Sequence, residues 1–212
     1  MVRYDIAEFK KTIPDSVTLV AATKYLSSEE MKDFLKVGIN NFGENRVDAF
    51  LGKYSDLKDQ GVIWHFIGHL QRNKAKKVLD KIEFLHSLDS LELAKIIDEN
   101  NYQNLKCFVE VSINLEETKN GVPYYEAEKF FSELLKYKNI HIVGLMMMAV
   151  KNASDESLKN QFAKLKELRD NLEKKFIISL PYLSMGMSDD YKEAILEGAT
   201  HIRLGRILLD NV

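Results

Sequence analysis

Several residues able to do chemistry stand where short apolar runs end. Lys24 follows the run VTLVAAT at residues 17–23. Burial at such a strand end lowers a lysine pKa and leaves a neutral amine able to form a Schiff base with a carbonyl. A surface lysine opening a loop fits the same position equally well. A second constellation lies near the C-terminus. The run ISLPYLS ends at Ser184 and continues as Met185-Gly186-Met187-Ser188-Asp189, and HIRLG at 201–205 carries Arg203 and Gly205 and leads into Arg206. Gly186 permits close backbone approach, Ser184 offers a hydroxyl, and Gly205 and Arg206 can present backbone N–H groups to the same anion. Two such turns after consecutive runs suggest a phosphate cradle more than two unrelated tight turns. Arg203 beside it could serve a ligand ring or a buried structural ion pair.

The elements that must position these residues alternate along the chain. Runs rich in β-branched and apolar residues recur at 17–23, 39–43, 62–67, 82–87, 106–112, 140–146, 178–184 and 201–205, which predicts about eight strands. Helical patterns separate them. Ser27 and Glu30 have capping-box spacing ahead of Met31, Phe34 and Leu35, with Gly38 as a stop. Asp89 and Glu92 repeat that spacing before Leu93, Ile96 and Ile97. Pro123 precedes a stripe of Ala127, Phe130, Phe131, Leu134 and Leu135, while Phe162, Leu165, Leu168 and Leu172 mark a longer helix. Ser188 is expected to cap a helix containing Tyr191, Ala194 and Ile195 that Gly198 stops. Strands alternating with helices in a chain of 212 residues predict a (β/α)₈ TIM barrel, an α/β fold of one domain over 1–212. The rival, a doubly wound open sheet, usually has a Gly-rich first turn, which Ala22-Thr23-Lys24 lacks.

In such a barrel the active face is formed by the strand C-terminal ends. That rule selects Lys24, Glu44-Asn45, His69 to Asn73, Met146 to Met148, Ser184, and Arg203-Gly205-Arg206. His65 and His69 flank a turn without a completing carboxylate pattern, so no metal site is expected. His86, His141 and His201 read as packed or hydrogen-bonded strand residues, Cys107 as core, the methionine run as rim packing, and Lys74, Lys76 and Lys77 as a solvated face.

Composition narrows the function classes. Lys plus Arg number 30 and Asp plus Glu 32, a net charge of −2, which gives no electrostatic attraction to nucleic acid or an anionic membrane. One cysteine allows no internal disulfide, and the start MVRYDIAEFKK carries charges where a signal peptide needs an apolar run. A cytoplasmic monomer without nucleic-acid or membrane partners is expected. An amine and a phosphate cradle in one mouth fit either a phosphorylated substrate held as a Schiff base or a phosphorylated aldehyde cofactor, of which pyridoxal phosphate is the common case.

The segments ATK at 22–24, FGENRV at 42–47, WHFIGHLQRNK at 64–74, VEVSINLEETKNGV at 109–122, GLMMM at 144–148 and LSMGMSDDYKEAILEGATHIRLGR at 183–206 resemble the pyridoxal-phosphate homeostasis protein family, relatives of the alanine racemase barrel. The resemblance spans almost the whole chain. It implies pyridoxal 5'-phosphate held as a Schiff base on Lys24, with Asn45 near the ring. It also implies Ser184, Gly205 and Arg206 at the phosphate and Arg203 facing the pyridine nitrogen. The implied role is balance of intracellular pyridoxal phosphate, without catalytic turnover. The alternatives are a weak amino-acid racemase using the same cofactor and a Schiff-base lyase acting on a phosphorylated substrate. The chain departs from the family at Arg206, where a small hydroxyl or aliphatic residue is usual, in its ending ILLDNV, and in a short segment before Thr18.

Overall fold

The computed structural model describes residues 2–102, 104–113 and 120–209. Part of the segment VEVSINLEETKNGV and the last three residues of the ending ILLDNV fall outside them. Eight parallel strands run β1 Thr18–Ala22, β2 Asn41–Glu44, β3 Ile63–Phe66, β4 Phe84–Leu88, β5 Lys106–Ser112, β6 His141–Met146, β7 Tyr182–Ser184 and β8 His201–Leu204. Each pairs with its sequence neighbour, β4 pairs with β5, and β8 returns to β1, so the sheet closes into the expected barrel. Strand β7 is shorter than the run at 178–184 because Pro181 has no N–H to give to a ladder. A two-residue parallel pairing of Val122–Pro123 with the end of β5 was not legible in the sequence.

The helices are α1 Ile6–Lys11, α2 Ser28–Lys36, α3 Val47–Leu57, α4 Arg72–Ala75, α5 Leu91–Asn100, α6 Ala127–Leu134, α7 Asp155–Phe176 and α8 Tyr191–Leu196. Ser27 and Glu30 form the predicted capping box, and Gly38 takes the positive φ of +72° that a helix exit favours in glycine. Two other predicted caps are absent. Ser90, not Asp89, precedes α5 and makes no side-chain cap, and the Asp89 carboxylate pairs instead with His69 Nδ1 at 3.0 Å. Asp190, not Ser188, precedes α8, and the Ser188 hydroxyl accepts from Gly205 N–H at 3.2 Å and Ile207 N–H at 3.4 Å.

Apolar packing falls into two clusters. The larger lies between sheet and helices and includes Phe34, Phe42, Phe50, Trp64, Phe131 and Phe162; burying each such ring contributes on the order of 2–3 kcal/mol. The smaller fills the barrel with Phe84, Phe108, Val143 and Met146. The rings of His65, His86 and His201 pack against Phe84 and Phe108 there. His86, His201 and Cys107 are buried as expected, His65 is buried inside β3 and does not flank a turn, and His141 is exposed. Among the described residues no helix is long and apolar enough to cross a membrane, and no cluster of side chains fits a metal ion.

Candidate functional site

Strand closure sets β8 beside β1, with Val20 opposite Arg203 and Ala21 opposite Leu204. Lys24 and the two C-terminal turns therefore share one side of the barrel mouth. Lys24 is exposed rather than buried, because the apolar run turns outward after Thr23. Its Nζ lies 4.9 Å from the centre of the Tyr25 ring and has no ion pair among the described residues. Its backbone is held firmly. Thr23 N–H donates to Gly43 at 2.9 Å, and the Thr23 carbonyl accepts from Leu26 N–H and from Lys53 Nζ.

Lys53 is the shielded lysine of this region, and sequence reading missed it. Its amine also pairs at 2.7 Å with Glu44, whose side chain is fully buried and accepts the Asn45 and Arg46 N–H groups on its other oxygen. The Lys53 amine is taken up by a carboxylate and a carbonyl, whereas Lys24 has no ion pair among the described residues, so Lys24 is the amine of the two left open to a ligand. Nothing in the helical segment around Lys53 marks it in the sequence.

Arg203 is buried. Its Nη1 donates to Ser184 Oγ at 2.6 Å and its Nη2 to the Met147 carbonyl at 2.8 Å. Burial brings the guanidinium down to about 10, opposed by the Glu110 and Asp190 carboxylates, so it stays protonated at neutral pH. The Ser184 hydroxyl lies in the barrel against His86 Nδ1 at 2.8 Å, not turned to the rim. Met147 contributes a carbonyl as well as rim packing.

The glycines separate into two kinds. Gly186 has φ +92°, and a Cβ there would come within 2.6 Å of Ala194 Cβ, so the chain's own packing requires glycine. At Gly205 a Cβ would meet Ala22 at an ordinary 3.6 Å. Its missing side chain leaves space at the mouth two residues from Lys24. Gly205 N–H is held by Ser188, which ties the two turns together, and the Arg206 side chain turns outward to Asp189. Asn45 is exposed, and its backbone packs so closely on Gly68 that a Cβ there would sit 2.4 Å from the Asn45 carbonyl oxygen.

Glu110, on β5, is a further buried acid at this end of the barrel. Burial lifts its carboxyl to about 7, Asp89 adds to the rise, and Arg203 opposes it. Its signal was a lone charge inside the apolar run KCFVEVS. A cleft of about 670 Å3 alongside is lined by His69 to Asn73, Asp89, Ser90, Glu92 and Gly121. It gathers the predicted His69 to Asn73 segment but neither Lys24 nor Arg203.

Fold and site together define a racemase-type barrel with a lysine after its first strand and an arginine on its last. The family described as alanine racemase, N-terminal domain, matches residues 2–209, and the chain belongs to it. It is 40% identical over 193 residues to the pyridoxal phosphate homeostasis protein of Aquifex aeolicus, covering 90% of this chain and 85% of that protein. With the protein of the same name from Synechocystis it shares 37% over 206 residues, covering 95% and 94%. The solved structure of PipY from Synechococcus elongatus with PLP bound superposes with a TM-score of 0.89 at 30% identity, over 97% of this chain and 100% of that one. An alanine racemase from Clostridium difficile shares the fold alone, with a TM-score of 0.76 at 18% identity, all of this chain matching 58% of it.

Proposed function

We propose that the protein binds pyridoxal 5'-phosphate through Lys24 and serves the balance of the cellular pyridoxal phosphate pool without turning over amino acids. The observation that carries this reading is the placement, on adjacent strands β1 and β8, of an unpaired lysine amine and a buried, protonated guanidinium. The residues fit the cofactor. Space beside Gly205 and Ala22 is left open by the protein's own packing, Lys24 offers an amine without an ion pair, and the turns at 185–189 and 205–206, joined by the Ser188 hydroxyl, bring backbone to the same mouth where a phosphate would lie. The relatives named pyridoxal phosphate homeostasis protein, and PipY with PLP bound, support the same assignment.

Bound cofactor supplies an aldehyde that condenses with an amine and a ring that can draw electrons from the carbon attached to it. Arg203 limits the second property. With the cofactor bound, a guanidinium that keeps its proton would offer the pyridine nitrogen an N–H donor without protonating it, which would leave the electron draw needed for amino-acid chemistry weak. Asn45 stands on the neighbouring strand end, available to the ring side of the site. Titrating the purified protein with pyridoxal phosphate should give visible absorption at one equivalent, and Lys24→Ala should abolish it while leaving the circular dichroism unchanged. Equal absorption in the variant overturns the lysine assignment. Racemisation of an amino acid by the loaded protein overturns the non-catalytic role.

A further inference from the structure

A continuous line of hydrogen bonds crosses the barrel beneath the mouth. Arg203 Nη1 reaches Ser184 Oγ at 2.6 Å, Ser184 Oγ reaches His86 Nδ1 at 2.8 Å, His86 Nε2 reaches His65 Nδ1 at 2.9 Å, and His65 Nε2 reaches Asn41 Oδ1 at 2.9 Å. His65, His86 and Ser184 have no exposed surface. The rings are held face-on to aromatic neighbours, His65 on Phe84 at 4.6 Å and His86 on Phe108 at 4.4 Å between centroids.

The two ends fix the direction of every proton between them. A guanidinium can only donate, so Ser184 Oγ accepts from Arg203. At the other end Asn41 Nδ2 donates to Asn40 Oδ1 at 3.1 Å, which leaves Asn41 Oδ1 as the acceptor facing His65. Both imidazoles are neutral, since burial drives each well below its usual range. A neutral imidazole has one N–H. His65 therefore carries its hydrogen on Nε2 and accepts at Nδ1, and His86 carries its hydrogen on Nε2 and accepts at Nδ1. The Ser184 hydroxyl hydrogen must point at His86. The serine expected to donate to a phosphate has its hydrogen committed inward and its lone pairs turned to Arg203.

We infer that Asn41, His65 and His86 are positioning residues for Arg203, acting through Ser184, and that Ser184 holds the guanidinium beneath the mouth instead of donating to the phosphate. The consequence for a bound ring rests on the pyridoxal phosphate reading, whereas the direction of the line does not. The alternative tautomers are excluded because an Nδ1–H form of His65 would set its bare Nε2 against the Asn41 carbonyl oxygen, and an Nδ1–H form of His86 would set its bare Nε2 against the bare Nδ1 of His65. Ser184 then presents the same face to Arg203 at all times.

Two measurements test this. In the protein without added cofactor, nitrogen-15 spectra of labelled histidine should show His65 and His86 as neutral rings protonated on Nε2, unchanged from pH 8 to pH 6. An Nδ1–H form at His86, or titration of either ring near pH 6.5, overturns the assignment. Binding of pyridoxal and of pyridoxal phosphate is then compared in Ser184→Ala, His86→Leu and His86→Asn. Ser184→Ala removes a hydrogen bond to the Arg203 guanidinium and His86→Leu removes the acceptor that orients that serine, so each should weaken both compounds equally, by on the order of tenfold in the first and less in the second. His86→Asn, whose Oδ1 can replace Nδ1 as acceptor, should recover most of it. A loss confined to the phosphorylated compound makes Ser184 a phosphate donor and overturns the inference. If the unaltered protein binds neither compound, the cofactor reading fails, and the nitrogen-15 result still decides the line.

Discussion

The shell between sheet and helices and the inside of the barrel are built on opposite principles. The shell is packed mainly by aromatic and aliphatic side chains such as Phe34, Phe50, Trp64 and Phe131. The barrel interior holds His65, His86, His201, Glu110, Ser184 and Arg203 among its rings, nearly all of their surface removed from water. Burying polar groups costs free energy unless each finds a partner, and the line from Arg203 through Ser184, His86 and His65 to Asn41 supplies such partners. The shell stabilises the fold, and the interior orders the charged groups beneath the mouth. Perturbing the two regions should therefore give separable effects.

Phe131→Ala, in the shell, should be the most damaging to stability, at about 4 kcal/mol by urea unfolding, with pyridoxal phosphate affinity unchanged in the folded protein. A matching loss of affinity would erase the distinction between the two regions. Next comes the mouth support. Lys53→Met leaves the buried Glu44 carboxylate without its cation and should cost about 3 kcal/mol by the same measurement.

Acid should act on the interior. Burial lowers His201 to about 4 from 6.5, and moves His65 and His86 in the same direction. Above pH 6.5 the imidazole is neutral in both native and unfolded chains. Between pH 6.5 and about 4 the unfolded chain takes up the proton and the native one does not, so stability falls; below 4 the loss from His201 levels off, having reached about 3 kcal/mol. The slope of the urea midpoint against pH checks this, and His201→Gln should flatten it. Glu110 works the other way over the neighbouring range. Raised to about 7, it favours the native state most where it is protonated, and that advantage fades as pH rises from 4.5 to 7. Glu110→Gln should remove that decline. The smallest effect on stability is expected for Lys24→Ala, within about 0.5 kcal/mol because the side chain is exposed.

The same division explains what the sequence reveals. Strands buried on both faces read as unbroken apolar runs, and all eight were placed within a few residues, apart from the cut that Pro181 makes in β7. Lys24, Ser184, Arg203, Gly205 and Arg206 were singled out because each follows or closes such a run. Their orientations were not legible. Asp89 and Ser188 have good capping chemistry, but His69 and the Gly205 turn claim them from across the fold. Lys24 turns outward, and the half-buried, ion-paired amine belongs to Lys53. The histidine line joins residues 21 and 98 positions apart, neighbours only once the barrel closes.

The most direct test of the central claim is chemical fixation of the cofactor. The protein is incubated with pyridoxal phosphate, reduced with borohydride, digested and read by peptide mass analysis. One pyridoxyl phosphate addition confined to Lys24 is the result this account predicts. An unmodified protein, or a modification carried by another lysine with Lys24 untouched, would contradict it.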